Sequence, residues 1–348
     1  MTDIRDSLAL VTGGAGFIGS HIADRLIKEG VKVRILDNLS TGDISNVNLA
    51  QTQFIQGDVT DDEALKKALD GVDIVFHEAA QINPTRAVEE PLFDFKVNAE
   101  GTLKLILHSL NANVKRFIMA CTNVYGDAEV EQMSEDLSTL TVGRSLLSPY
   151  AASKVCAEAY LKVANDELGL PTVRLRYFNV FGPRQLTKSE SGVIAIFAQN
   201  ALAGKPLYIF GDGTHTRDFV YVDDVVNANL LAAKNGSANG GVFNVGTGIE
   251  TSVNELAEEI KQLANPEVPI IHTDSRAADF RRAKADLTVS RKVLGFEPKV
   301  GLHEGLRRYV QWYRSADQIM PGKPTRSIRR SLSSDQSTFN IRDQAGSH

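Results

Sequence analysis

Tyr150 and Lys154 stand four residues apart in the run Ser148-Pro149-Tyr150-Ala151-Ala152-Ser153-Lys154. On a helix that spacing puts both side chains on one face. Ser148 is suited to cap such a helix and Pro149 to begin it, which places the pair near the positive end of the helix dipole. A free phenol has a pKa of ~10, so a tyrosine acting as a base near neutrality needs a shift of about three units, or roughly 4 kcal/mol of preference for the phenolate. A neighbouring ammonium and a second, ligand-borne cation supply such a preference. Taken alone, the run also describes an ordinary amphipathic helix with a packed tyrosine and a solvated lysine. What lies upstream decides between the two.

The run Leu8-Ala9-Leu10-Val11-Thr12 feeds Gly13-Gly14-Ala15-Gly16-Phe17-Ile18-Gly19, and a helical pattern continues through Lys28. Gly14, Gly16 and Gly19 satisfy G-x-G-x-x-G, and Gly13 adds the wider G-x-x-G-x-x-G spacing. Small residues here let the amides of a helix N-terminus approach a pyrophosphate. The next apolar run, Val31 to Leu36, ends in Asp37, eighteen residues after Gly19. An acid at that place accepts hydrogen bonds from an adenosine ribose diol and favours NAD over NADP. Strand, glycine loop, helix, strand and acid in register predict a dinucleotide site, and the nicotinamide is then the second cation beside Tyr150.

The elements that must carry these residues follow from periodicity. Strand-like runs at 7–12, 31–36, 53–55, 73–76 and 115–120 alternate with helical stretches, which predicts a Rossmann-type α/β fold, a doubly wound parallel sheet with helices on both faces. Functional groups on such sheets gather beyond the carboxyl ends of the strands. There lie Gln56-Gly57-Asp58-Val59, His77-Glu78-Ala79-Ala80-Gln81 and Ala120-Cys121-Thr122-Asn123. Asp58 reads equally as a helix cap or an adenine contact, and His77 as a strand-end histidine satisfied by its neighbours. The 348 residues are 43% hydrophobic, with 43 acidic against 38 basic side chains and a formal charge of −5. No basic stripe marks a nucleic-acid partner. No apolar run approaches the ~20 residues that span a bilayer and the N-terminus lacks a signal-peptide pattern, so a cytoplasmic protein is expected. Cys121 and Cys156 are too few for a disulfide framework or a zinc site, so no metal is expected and Cys156 reads as a core filler.

These motifs carry a family resemblance. Thr12 to Gly19, Asp37-Asn38-Leu39-Ser40-Thr41-Gly42, Gly57-Asp58-Val59, His77 to Gln81, Asn98, Tyr150 with Lys154 and Arg176 to Arg184 resemble the extended short-chain dehydrogenase/reductases of the nucleotide-sugar epimerase/dehydratase family. The likeness continues through Phe210 to Gly213 and Thr216 to Val222, ends near Trp312-Tyr313, and is closest to the UDP-glucose 4-epimerase branch. It implies NAD held by Gly13, Gly16, Phe17, Ile18, Gly19, Asp37, Asn38, Asp58, Val59, Ala79, Ala80, Gln81, Asn98, Tyr150 and Lys154. It also implies a smaller α/β C-terminal substrate domain. Residues 1–178 would bind NAD, with a return of the chain around 218–247; 179–217 and 248–316 would bind the nucleotide sugar; 317–348 would form a disordered tail.

The chemistry implied is inversion at C4 of a UDP-hexose. Tyr150 as phenolate takes the 4-hydroxyl proton while hydride passes to NAD, with Lys154 lowering the tyrosine pKa; a 4-keto sugar turns over and hydride returns to its other face. The family's relay hydroxyl is replaced here by Cys121, a weak donor and acceptor. Either Thr122 takes that role or Tyr150 acts directly. Related dehydratases place an acidic pair before Val124-Tyr125-Gly126 and decarboxylases a Glu, whereas this chain has Thr122-Asn123. That favours epimerisation over a 4,6-dehydratase or decarboxylase activity, with Glu78 the carboxylate that could still reach the pocket. The resemblance also leaves open a UDP-glucuronate 4-epimerase and a non-catalytic NAD-binding protein. It assigns Asn179, Val193, Arg217, Arg276 and Asp279 to the UDP-sugar, and suggests a homodimer formed through helices around 98–108 and 150–164. Ala283, where hexose-restricted epimerases often have Tyr, predicts room for an N-acetyl group at C2.

Overall fold

The computed structural model describes residues 2–123, 125, 131–137, 148–185, 192–275 and 281–319. Its strands are β1 (Leu8–Thr12), β2 (Lys32–Asp37), β3 (Thr52–Gln56), β4 (Ile74–His77), β5 (Arg116–Thr122), β6 (Thr172–Tyr177), β7 (Asn179–Phe181), β8 (Leu207–Phe210), β9 (Thr216–Arg217), β10 (Phe219–Tyr221), β11 (Val242–Val245), β12 (Thr251–Ser252) and β13 (Ile270–Thr273). Its α-helices are α1 (Phe17–Lys28), α2 (Asp62–Leu69), α3 (Pro84–Glu89), α4 (Pro91–Phe95), α5 (Gly101–Asn111), α6 (Pro149–Asp166), α7 (Val193–Leu202), α8 (Val222–Lys234), α9 (Val253–Ala264) and α10 (Leu302–Ile319). Helix α10 takes in the first residues of the expected tail, and the remainder of that tail lies outside the described residues.

Seven strands make one sheet in the order β11-β6-β5-β4-β1-β2-β3. Every pairing within it is parallel. The sequence explains why both faces are covered. Along β1, Ala9 and Val11 enter one apolar core with Ile22 and Leu26 of α1 and Val225 of α8, while Leu10 enters a second with Leu65 of α2, Leu105 of α5 and Leu161 of α6. Alternate residues of a strand point to opposite faces, so a continuous apolar run buries both sides. The expected doubly wound architecture is present, and all five strands expected from periodicity are found within a residue or two.

The strand order reverses between β1 and β4, where ligands of such sheets lie at the carboxyl ends. Here the loops after the two strands touch. Gly13 has φ +68°, and a Cβ on it would lie 2.8 Å from the Ala79 amide nitrogen. After β6 the chain builds a smaller unit in which α7 packs on α9 and β8 pairs with β13. It returns to the main sheet through α8 and β11. The first core runs on without a break into this unit, through Leu256, Ile260, Phe296, Leu306 and Tyr309.

Candidate active site

A cleft of about 200 Å³ opens at that reversal. Gly13, Gly16, Phe17, Ile18 and Gly19 line it from the first loop, Asp37 and Asn38 from the end of β2, Asp58 and Val59 from the end of β3, and Ala79, Ala80 and Gln81 from the end of β4. These residues expected around a dinucleotide converge, but Asn98, Tyr150 and Lys154, also expected there, do not line this cleft, and neither does Gly14. A Cβ on Gly14 would lie 2.7 Å from Ile35 Cγ2, so it serves the packing of the loop on β2. Gly19 carries the close helix approach instead: its Cβ would sit 2.4 Å from the Gly13 carbonyl oxygen.

The cleft suits an anionic ligand at one end. Gly16 caps α1 with no side chain on the exposed amides, and the first turn holds no acid. Unsatisfied amides at a helix start favour a phosphate. At the end of β2 the buried Asp37 accepts from the Ala15 amide through Oδ2 (2.9 Å) and from the Leu39 amide through Oδ1 (2.8 Å), so it also shapes the loop it faces. Asp58 is not the helix cap; Asp61 is, accepting from the Glu63 amide. Burial pushes the Asp58 carboxyl up, but the amide and hydroxyl of Thr60 and the Asn38 amide outweigh it and hold the pKa below the usual range. These features fit NAD.

His77 is buried, with Nδ1 2.8 Å from Thr12 Oγ1 and Nε2 2.9 Å from Thr102 Oγ1. Thr102 donates its hydroxyl hydrogen to the Asn98 carbonyl (2.6 Å), so it accepts from His77 Nε2–H and Nδ1 takes the Thr12 proton. Burial, with Lys154 nearby, lowers its pKa to about 3. It is a neutral strand-end spacer, as expected. Asn98 lies in a π-helical turn, Lys96–Glu100, that periodicity does not reveal. Its side-chain oxygen accepts from the Gln81 amide (2.9 Å), and its Nδ2 reaches the Gln81 carbonyl, Asp94 and Ser153 Oγ of α6. The turn thus ties the end of β4 to the helix that carries Tyr150 and Lys154.

That helix begins as the sequence predicts, with Ser148 accepting from the Ala151 amide and Pro149 in the first turn. Lys154 is 5% exposed, which rules out a solvated lysine. Its pKa is lowered, mainly by burial. Tyr150 is hydrogen-bonded to the Thr122 side chain, and burial pushes its phenol up to about 12 against that bond. The expectation that Lys154 acts directly on the phenol is not met in this arrangement: Nζ donates to the Ala120 carbonyl (3.3 Å). Thr122 Oγ1 in turn lies 3.3 Å from Asn123 Oδ1. Cys121 is buried among Phe117, Met119 and Ala157, its thiol pushed up by burial. Cys156 is only half-buried, so it is not the core filler expected. It falls off the stripe of Ser153, Ala157, Leu161 and Ala164 that α6 buries.

Glu78 does enter the cleft. Its Oε1 accepts from Tyr177 Oη (2.8 Å), which accepts from Asn229 Nδ2 (2.6 Å). Arg86, Phe93 and Val97 also line the cleft, with the Arg86 guanidinium 4.1 Å above the Phe93 ring. Motif and spacing single out none of the three. The one signal the sequence holds for them is their place just beyond β4. In the smaller unit, Asn179 begins β7 and its amide bonds the Asp218 carbonyl (2.9 Å), next in the chain to Arg217 of β9; Val193 opens α7. Arg276 and Asp279 lie outside the described residues, as do Val124 and Gly126.

Residues 9–246 match the family model described as "NAD dependent epimerase/dehydratase family". The UDP-glucose 4-epimerase of Mycolicibacterium smegmatis is 40% identical over 89% of this chain and 99% of its own length. Among solved structures, the UDP-glucose 4-epimerase of Thermotoga maritima with UDP-glucose is 41% identical with a TM-score of 0.84, over 89% of this chain and 99% of that one. The UDP-N-acetylglucosamine 4-epimerase of Methanobrevibacter ruminantium, in complex with UDP-N-acetylmuramic acid, is 37% identical with a TM-score of 0.83, over 90% and 99%. The glycine loop at the strand reversal, the Tyr150–Lys154 helix beside it and these matches agree: the chain belongs to the NAD-dependent epimerase/dehydratase family.

Proposed function

We propose that this protein is a nucleotide-sugar 4-epimerase that inverts C4 of a UDP-hexose. One observation carries the reading: the Tyr150 hydroxyl, bonded to Thr122, stands on the same helix as Lys154 beside a cleft fitted for NAD. Bound there by the glycine loop, Asp37, Asn38, Asp58 and the Ala79–Gln81 turn, NAD supplies a hydride acceptor that gives the hydride back. Tyr150 removes and restores the 4-hydroxyl proton, and Thr122 passes it between sugar and phenol. Bringing a phenol at about 12 to base duty near neutrality takes about five units, or roughly 7 kcal/mol. A turn of the Lys154 ammonium from the Ala120 carbonyl toward the phenol supplies part of it. The Thr122-Asn123 pair offers no carboxylate for elimination, and Glu78 is engaged by Tyr177.

Asn179, Val193 and Arg217 are the proposed UDP-sugar contacts, with Arg276 and Asp279. The domain division proposed is a dinucleotide unit of 1–178, rejoined over 218–247, and a sugar unit of 179–217 with 248–316; the joining of β11 to the main sheet supports it. Two free cysteines accord with a cytoplasmic setting. A homodimer is supported by apolar side chains left exposed on α3 to α6: Val88, Leu92, Phe95, Leu107, Tyr160 and Val163. Leu92 is 83% exposed. Light scattering should give twice the chain mass, and Leu92→Glu should shift it toward one; a wild-type monomer would end the dimer reading.

The purified protein, mixed with UDP-glucose and UDP-N-acetylglucosamine without added NAD and followed by proton NMR, should yield the galacto epimers of both. Ala283 is buried, and its small side chain is the proposed allowance for the acetyl group. Ala283→Tyr should abolish turnover of the acetylated sugar while sparing the plain hexose. Equal losses on both would remove the allowance, and no epimer of either sugar, even with NAD added, would remove the function.

A further inference from the structure

Glu78 is a titratable group that the proposed reaction leaves unused. It lines the cleft, directly before Ala79, and every group that holds it is uncharged. From β6, Tyr177 donates to Oε1, backed by Asn229 of α8. From the glycine loop, Gly13 packs on its backbone and brings no charge. His77, beside it in β4, is neutral. Among the described residues, the charged group acting on it is Lys154 of α6, whose ammonium bonds the Ala120 carbonyl and makes no ion pair with the carboxyl. Oε2 has no hydrogen-bond partner among the described residues.

A carboxyl so placed answers to whatever charge enters the cleft. We propose that Glu78 is the charge compensator of this site: it gives up its proton when the bound nicotinamide is oxidised and cationic, and takes one from solvent when the nicotinamide is reduced and neutral. The inference rests on the NAD reading above. The two-electron reduction of the ring by a hydride removes one positive charge from the cleft, and proton uptake by the Glu78 carboxylate restores the balance; when the hydride leaves, the proton leaves. Burial of Glu78 raises its pKa to about 8, against the Tyr177 hydrogen bond and Lys154, so the group can change state near neutral pH.

The test is a redox titration of the cofactor bound to the full-length protein, read by the absorbance of the reduced ring at fixed applied potential between about pH 6.5 and 9. Reduction of the ring itself consumes one proton, which lowers the reduced-to-oxidised ratio about 10-fold per pH unit; a coupled second proton makes that fall approach about 100-fold. Wild-type protein should show the steeper dependence and Glu78→Gln the shallower. Infrared difference spectra, reduced minus oxidised, should show a protonated carboxyl band that Glu78→Gln lacks. A wild-type fall of 10-fold per unit overturns the proposal without recourse to any variant. So does a steep fall that survives in Glu78→Gln, which would assign the proton to Tyr150 or Lys154. Absence of any reducible chromophore would instead overturn the NAD reading, and the proposal with it.

Discussion

At the residue scale the decisive pair is Cys121 and Thr122, adjacent on β5 and turned to opposite faces of the sheet. Cys121 packs beneath α6 and Thr122 meets the Tyr150 hydroxyl. Exchange of the proton should therefore depend on the second. Thr122→Ala should lower kcat by about 100-fold, at the lower end of what a positioned proton donor contributes, with KM little changed. Cys121→Ala should leave turnover within a factor of a few and cost about 1 kcal/mol of packing, seen as a lower Tm. The reverse pattern would return the relay to the position the family usually employs. Side-chain type and spacing make Tyr150, Lys154 and the choice between Cys121 and Thr122 legible in the sequence. The turning of Lys154 to Ala120 is not, because it depends on a carbonyl brought near by the sheet and not by the helix.

At the element scale, the segments legible in the sequence are those whose pattern is local: apolar strands, the Ser148-Pro149 helix start and the glycine loop. The π-turn at Lys96–Glu100, which fixes Asn98, leaves no mark on the periodicity. It is held by partners distant in the chain, Gln81 and Ser153. Arg86 and Phe93 are hidden for the same reason, since they reach the cleft only once α3 and α4 fold back over it. The loop before α1 makes a sharper demand than its motif states. A methyl group on Gly19 would stand 2.4 Å from a backbone oxygen that has no room to yield. Gly19→Ala should thus cost about 1–3 kcal/mol of stability through overpacking. It should also sharply reduce the NAD released per chain on denaturation; a variant that keeps a full complement would show that the loop can relax.

At the scale of the whole molecule, the buried His77 and the half-buried Glu78 contribute opposite slopes to the variation of stability with pH. His77 stays neutral when folded down to about pH 3, whereas the unfolded chain protonates it below about 6.5, so stability falls as pH drops through that window. Glu78 stays protonated when folded up to about 8, whereas the unfolded chain ionises it above about 4.5, so stability falls as pH rises through that one. Between about 4.5 and 6.5 the two slopes cancel. Protein stripped of dinucleotide should show a flat Tm there and a decline on either side, whereas Glu78→Gln should flatten the alkaline limb and turn the plateau into a rise with pH, the His77 slope then standing uncancelled. An alkaline limb unchanged in that variant would assign it to other groups. A different consequence follows from the first apolar core, which passes unbroken from the sheet into the smaller unit. A core shared in this way resists separation of the sheet from the smaller unit, since pulling them apart would uncover apolar side chains that now pack on one another. Slow exchange of bound NAD with the medium, as of a prosthetic group, is the behaviour expected of such a fold.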